Sequence, residues 1–311
     1  MKRVQVLALV SISVAGLTGC MVQASRDFSL TAPWQNYERL VIRNSNGRVT
    51  LAAADVAEVR VDAQTRVRAS SYQQAQGYLN QMEVLARQDD KDASTLIVEL
   101  RIPASLATLS PGSTLNIIVP GPCAADVNTN NGSISVADMR GRVAAQTSNG
   151  AVEVHDVDGN VSAITRNGRI VVRTVRGNVE TRTSNGEITL RDIVGACRAE
   201  TANGSIEVFS NEGDVHAATS NGSVHVVATP ADEGSVVATT SNGQIRLALP
   251  RTMKARLSLR AGNGHLNLDT ADVVTDIKRR EREFARGTLN GGGAGEILAE
   301  TTNGSVTVDF R

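Results

Sequence analysis

Through residues 134–308 apolar and polar positions alternate in short runs, and the runs recur in a frame set by the dipeptide Asn-Gly. It stands at Asn131, Asn149, Asn167, Asn185, Asn203 and Asn221, 18 residues apart, then at Asn242 and Asn263 after steps of 21, and at Asn303 after 40. Three residues after each Asn comes Ile134, Val152, Ile170, Ile188, Ile206, Val224, Ile245, Leu266 or Val306. Five after it comes Val136, Val154, Val172, Leu190, Val208, Val226, Leu247, Leu268 or Val308. Such alternation marks a strand with one buried face. Another apolar column lies six before the Asn, at Val143, Val161, Val179, Cys197, Val215, Val236, Leu257 and Ile297. Ala follows it at 145, 163, 199, 217, 238 and 299, and then Thr at 129, 147, 165, 183, 201, 219, 240 and 301.

Each period therefore predicts two short strands and two corners. One corner is Asn-Gly and the other falls at Gly141, Gly159, Gly177, Gly195 and Gly213. Asn and Gly reach corner backbone angles at little cost, whereas β-branched residues do not. A constant period predicts an all-β chain, a single-chain parallel β-solenoid of two-strand coils of 18 residues. Coils stacked about 4.8 Å apart would align the corner asparagines into a side-chain amide ladder. The Ala and Thr columns predict a thin interior. A series of hairpins turning at each Asn-Gly also fits the local pattern, and the pattern alone leaves both open.

Residues 28–122 read as an N-terminal capping part. Leu40–Ile42, Val56–Val67, Leu96–Ile102 and Leu115–Val119 are strand-like, and Asn46-Gly47 is a divergent coil. In Ser70–Leu85, Tyr72, Ala75, Leu79 and Met82 have helical spacing, which predicts one amphipathic helix. Such a part would cover the open strand edge of the first coil. Residues 123–311 are the repeat body, with enlarged corners at 230–234 and 250–254. Its largest departure, 269–293, mixes charges around Phe284 and ends in Gly291-Gly292-Gly293. It reads as a cover for the terminal edge or as a binding loop.

Composition adds limits. Aromatic residues are only 3% of the chain, as a thin Val/Ile/Ala interior requires. The 32 basic residues balance the 32 acidic ones, which excludes the basic footprint of a nucleic-acid binder. The four histidines occupy different columns and no Cys-His spacing suggests zinc, so neither metal nor cofactor is expected. Cys123 and Cys197 are nearly four coils apart, beyond the reach of a disulfide of about 7 Å between Cα atoms. Cys197 takes the place of an inward Val and reads as a small buried hydrophobe.

The start of the chain has a different character. Lys2 and Arg3 precede an apolar run, Val4–Ala15, that is too short to span a bilayer. Leu17-Thr18-Gly19-Cys20 resembles the cleavage box of bacterial lipoprotein leaders. The resemblance implies a leader of residues 1–19, lipidation of Cys20, a tether over 20–27 and attachment to a membrane of the cell envelope. Met21 after the Cys points to the outer membrane.

TSNGAVEV (147–154), TSNGEITL (183–190), TSNGSVHV (219–226) and TTNGSVTV (301–308), behind a strand–helix–strand and Pro-rich step, carry a wider likeness. Over roughly residues 28–311 the chain resembles the bacterial putative-adhesin family of exported β-solenoids, a domain of unknown function. The shared motifs specify coils and corners, so the resemblance implies an adhesion or protein- or glycan-binding scaffold with no catalytic residues to carry over. The competing expectation is a cation-assisted polysaccharide lyase or glycosidase of β-helix type, using Asp138 and Asp156. Asp138, Asp156 and Asp192 precede a corner Gly by three, but Thr174 and Ser210 hold the same column, which favours a turn-forming role. Glu153 and Glu207 share an outward column three coils apart, too far for a paired mechanism. Outward positions show no aromatic row for stacking on sugars.

Overall fold

The computed structural model describes residues 9–18, 21–34, 36–270, 273 and 275–311. The chain divides into two compact units, Met1–Glu153 and Val154–Arg311. The first contains β1 (Leu9–Thr18), β2 (Met21–Pro33), β3 (Arg39–Arg43), β4 (Val49–Ala54), β5 (Glu58–Ala69), α1 (Tyr72–Leu79), β6 (Glu83–Gln88) and β7 (Thr95–Arg101). It continues with β8 (Gly112–Pro120), β9 (Ala124–Asn128), β10 (Ile134–Arg140) and β11 (Val143–Gln146), and the unit boundary falls within β12 (Val152–Asp158). One of its sheets runs in the order β1-β2-β5-β8-β4-β10, the other β6-β7-β3-β9-β11.

The second unit begins with β13 (Val161–Ile164), β14 (Ile170–Arg176), β15 (Val179–Asn185), β16 (Ile188–Val194), β17 (Cys197–Asn203), β18 (Ile206–Asn211), β19 (Val215–Asn221) and β20 (Val224–Ala228). β21 (Ser235–Asn242), β22 (Ile245–Leu249), β23 (Ala255–Ala261), β24 (Leu266–Leu268), β25 (Thr275–Arg280), β26 (Phe284–Leu289), β27 (Gly295–Asn303) and β28 (Val306–Phe310) complete it. Its sheets run β14-β16-β18-β20-β22-β28-β24 and β13-β15-β17-β19-β21-β27-β23-β26-β25.

The repeating strands pair in parallel with their own copies. Val179 faces Cys197 and Cys197 faces Val215, while Ile188 faces Ile206 and Ile206 faces Val224. Parallel pairing one period away excludes the hairpin series, whose partners would be antiparallel and adjacent in sequence. Both units have the two-sheet construction of a β-solenoid. The apolar columns are buried as the alternation requires, from Ile134 at 1% exposure to Val308 at 0%. Leu266 is half-buried because β24 is the last strand of its sheet.

A third inward column escaped the alternation. Met139, Val157, Val175, Ile193 and Asn211 are buried, eight residues after the corner Asn. The preceding residues, Asp138, Asp156, Thr174, Asp192 and Ser210, hold left-handed φ values of +53° to +58°. One left-handed residue shifts the side-chain parity, so the next residue turns inward instead of outward.

Layer order departs from chain order at both ends. β3 and β4 lie between the later β7 and β8 on one side and β9 and β10 on the other. β27 and β28 likewise insert between β21 and β22 and the earlier β23 and β24. The 269–293 excursion contains the antiparallel pair β25–β26, and β26 adds to β23 at the sheet's end.

Two expectations need correction. The helix covers Tyr72–Leu79 only: Ser71 caps it by accepting from the Gln74 amide, and Ala75 and Leu79 are its buried residues. Glu83–Gln88 is a strand and Tyr72 is exposed, because pairing of β6 with β7 overrides the helical spacing there. The polar tether expected over residues 20–27 is instead strand from Met21 onward. β2 pairs antiparallel with β5 from Val22↔Ala69 to Pro33↔Glu58, and alternate residues such as Ala24 and Phe28 are buried. Cys20 itself lies outside the described residues. The apolar run of the expected leader lies largely in β1, antiparallel to β2, so cleavage before Cys20 would remove β1 and leave β2 at the edge. Among the described residues no helix is long and apolar enough to cross a membrane.

Candidate functional site

The Asn-Gly corner is a hydrogen-bonded spine. In the first unit the Asn131 amide donates to Asn46 Oδ1 at 2.6 Å and Asn149 to Asn131 at 2.7 Å. In the second, Asn185 donates to Asn167 at 2.8 Å, and Asn203 to Asn185, Asn221 to Asn203 and Asn242 to Asn221, each at 2.9 Å. The ladder then follows the layers, not the chain: Asn303 donates to Asn242 at 2.8 Å and Asn263 to Asn303 at 2.7 Å. Within each of these runs an Asn with neighbours on both sides gives one of its two amide protons and receives one, so the ladder commits part of each side chain to its own copies.

The Gly beside each Asn is required by close approach. A Cβ on Gly204 would stand 2.0 Å from the Gly186 carbonyl oxygen, and one on Gly150 2.1 Å from that of Gly132. The same carbonyls accept from the buried Thr column: Thr201 Oγ1 bonds Gly186 at 3.1 Å, Thr219 bonds Gly204 at 2.9 Å and Thr301 bonds Gly243 at 2.9 Å. Thr129 is different. Asn44 replaces Thr in the neighbouring coil and its amide donates to the Gly47 carbonyl at 3.2 Å, and among the described residues Thr129 Oγ1, which is buried, has no hydrogen-bond partner.

The second corner carries the carboxylates singled out from sequence. Gly141, Gly159, Gly177 and Gly195 have φ of +143° to +150°, while no positive φ distinguishes Gly213. A Cβ on Gly213 would nonetheless meet the Gly195 carbonyl oxygen at 2.3 Å, so contact with the neighbouring coil keeps that position Gly as well. Asp138, Asp156 and Asp192 occupy the left-handed position before the inward column, a conformation Asp and Asn tolerate better than most residues. Asp156 Oδ2 lies 2.8 Å from His155 Nδ1. Asp138 lines an open pocket of about 430 Å³ with Ala53, Ala54, Asp55, Gly121 and Arg140. Among the described residues no group of three or more His, Cys, Asp or Glu side chains is placed to hold a metal ion.

Cys123 and Cys197 are both free and buried, and burial pushes each thiol up to about 12. They remain protonated and unreactive in the folded chain.

The outward faces of the same coils differ in charge. On the β15–β17 face, Glu200 pairs with Arg198 and with Arg182 at 3.7 Å. Next to them, partial burial followed by the Arg198 charge holds His216 below the usual imidazole range. On the opposite sheet, Arg173 stands in register with Arg191 and Arg191 with Phe209. The Arg191 guanidinium lies 4.7 Å from the Phe209 ring centroid, and Phe209 meets His225 edge-on at 5.0 Å. The alternation had shown no aromatic row. The signal was nevertheless present six residues after the corner Asn, where Arg173, Arg191 and Phe209 share one column.

Among curated proteins nothing matches the chain. Two solved structures resemble it. One is a putative adhesin from Bacteroides fragilis NCTC 9343, 11% identical, covering 91% of this chain and 96% of its own, with a TM-score of 0.44. The other is a putative cell adhesion protein from Clostridium sporogenes ATCC 15579, 8% identical, covering 98% and 100%, with a TM-score of 0.22. The family pattern described as Toastrack DUF4097 matches residues 37–309, which takes in both units from β3 to β28. By that match, and with the coil columns it spans buried and hydrogen-bonded as described, the chain belongs to the Toastrack DUF4097 family.

Proposed function

We propose that this protein is a non-enzymatic, lipid-anchored β-solenoid of the cell envelope, built of coils of about 18 residues, that acts as an adhesion or protein- or glycan-binding scaffold. The observation that carries the reading is where the recurring polar residues are spent. The Asn column bonds itself, the Thr column bonds corner carbonyls, and the Asp column holds a left-handed backbone. What the coils present outward is flat sheet, the kind of surface a repeat protein uses for extended contacts. The Leu17–Cys20 box supports an envelope setting. Cys20 is the expected point of attachment, and the outer membrane the expected site.

Protease shaving of intact cells tests this directly, with a periplasmic protein as control. Digestion of the chain in intact cells is the expected result. Protection until the outer membrane is opened would overturn direct adhesion.

The pocket beside Asp138 keeps one second reading in play, that of a cation-assisted glycan-cleaving enzyme using Asp138 and Asp156. Replacing both with Asn should leave any glycan-cleaving activity of the purified chain unchanged under the scaffold reading. Its loss in a folded double variant would favour the enzyme.

A further inference from the structure

The two faces of the same coils provide an internal contrast. On the β15–β17 face every arginine of the cluster is answered: Glu200 sits between Arg182 and Arg198 and pairs with both. On the β14–β16–β18 face, Arg173 and Arg191 stand directly in register on adjacent parallel strands, about 4.8 Å apart by strand spacing. Both are exposed, and among the described residues neither makes an ion pair. Like charges directly opposite one another destabilise a sheet, so the coil bears a cost here that it avoids on its other face.

The second observation is that one of these charges is held in place. Arg191 lies over the Phe209 ring at 4.7 Å, and Phe209 is in turn fixed edge-on by His225 at 5.0 Å. A guanidinium stacked on an aromatic face loses little further freedom when it binds an anion, which is what preorganises a site. Asp192 lies next to Arg191 in the chain and Glu207 stands two register positions away on β18.

We infer that Arg173 and Arg191 form an anion clamp for an acidic polysaccharide, with Phe209 as the residue that positions Arg191. The planar guanidinium forks suit carboxylate, sulfate or phosphate oxygens. The neighbouring acids select the class of polymer. Asp192 and Glu207 repel a continuous polyanion such as nucleic acid or an anionic bilayer surface. They accept hydrogen bonds from the hydroxyl groups that separate the charges of an acidic sugar chain. This assignment rests on the scaffold reading and gives it a ligand class.

The test uses the full chain with immobilised polygalacturonate, neutral dextran, and vesicles of phosphatidylglycerol and phosphatidylcholine. Polygalacturonate should retain the protein and dextran should not, with retention weakening as salt is raised. Arg173→Gln and Arg191→Gln should each weaken binding about tenfold, as loss of a charged hydrogen-bonding group predicts. Phe209→Leu should act through Arg191, weakening the wild-type chain but leaving Arg191→Gln unchanged. The double variant Arg182→Gln/Arg198→Gln on the opposite face should bind normally, and thermal melts confirm that each variant folds. Equal binding by the Arg173/Arg191 double variant overturns the clamp, as does no binding to polygalacturonate at all. Arginine-dependent binding to the anionic vesicles alone would assign the site to lipid. Loss of glycan binding in a chain that is still shaved from intact cells would sink this ligand and leave the scaffold standing. Glycan binding by a chain protected in intact cells would do the reverse.

Discussion

At the N-terminal end, β3 and β4 are covered by β7 and β8. Beyond these lie β6 on one sheet and the long antiparallel β5 and β2 on the other, with α1 packed on β2 and β5. At the C-terminal end, β27 and β28 are covered by β23 and β24. Among the described residues, the β25–β26 pair alone stands beyond these on one sheet, while the other stops at β24, three residues long. Both ends place the chain's terminal coil one layer in and close at least one sheet with antiparallel strands, which blunts an edge that would otherwise recruit further strands. The difference is in apolar mass. The first end buries Phe28, Leu30, Val59, Val61, Ala75 and Leu79 beyond its last parallel layer; the second relies on the inserted coil to hold its cover in place. A thick cap has a core of its own, and a thin one borrows stability from the layer beneath it.

Removing residues 295–311 should therefore have the largest effect. It takes out the strands between β21–β22 and β23–β24, so the 255–289 segment loses its partner and becomes protease-sensitive. Deleting 275–289 should cost less stability but promote association through the uncovered β23. Circular dichroism melts, limited proteolysis and light scattering read both. If the terminal deletion is no worse than the hairpin deletion, the inserted layer is not what holds that end.

Gly204→Ala strikes the regular coils. Its Cβ would meet the Gly186 carbonyl oxygen at 2.0 Å, backbone against backbone, and should destabilise by about 3 kcal/mol in denaturant unfolding. The ladder grades the comparison more finely. Asn203 makes two side-chain bonds, to Asn185 and from Asn221, so Asn203→Ala should cost about 2 kcal/mol. Asn263 ends the ladder with one bond, and Asn263→Ala should cost about 1 kcal/mol. Thr219→Val should cost about 1 kcal/mol by losing the bond to Gly204, whereas Thr129→Val, with no bond to lose, should be neutral or stabilising. Equal costs at both threonines would refute the account of the first coil.

The two cysteines report on the units separately. Each thiol is raised from an ordinary 9.0 to about 12, so the folded state holds its proton more tightly than the unfolded state. The stabilisation is complete below about pH 9 and is lost as pH rises from there toward about 12. At pH 8 alkylation should require opening. In the 295–311 deletion Cys197 should label before Cys123, as mass spectrometry would show.

Much of this was legible from the columns. The buried rows at Ile134 and Val136, the inward Thr column, the buried free Cys197 and the Asn ladder all follow from reading copies against one another. The third inward column was not, because one left-handed residue at Asp138 or Thr174 reverses parity, and alternation assumes a uniform strand. The helix was overextended because Met82 fits helical spacing but is followed by Glu83–Gln88, which pair with β7. Residues 21–27 looked like a tether because they are largely polar. Their strand is defined by its partner β5, whose alternation is strong. Arg173, Arg191 and Phe209 could be placed in one column, but their contrast with the Glu200-bridged arginines needed side-chain positions.

The sequence by itself determined most of the coil: where it turns, which alternating rows and which Thr column face inward, and which polar groups bond to their own copies. A repeat writes the same local demands at every pass, and those demands are met between identical positions. Which coil lies beside which was decided only by the tertiary structure. Backbone hydrogen bonds are indifferent to side-chain identity, so β28 pairs with β22 or β24 as readily as any copy would. The order is settled by loop lengths, edge protection and the apolar mass available at each end.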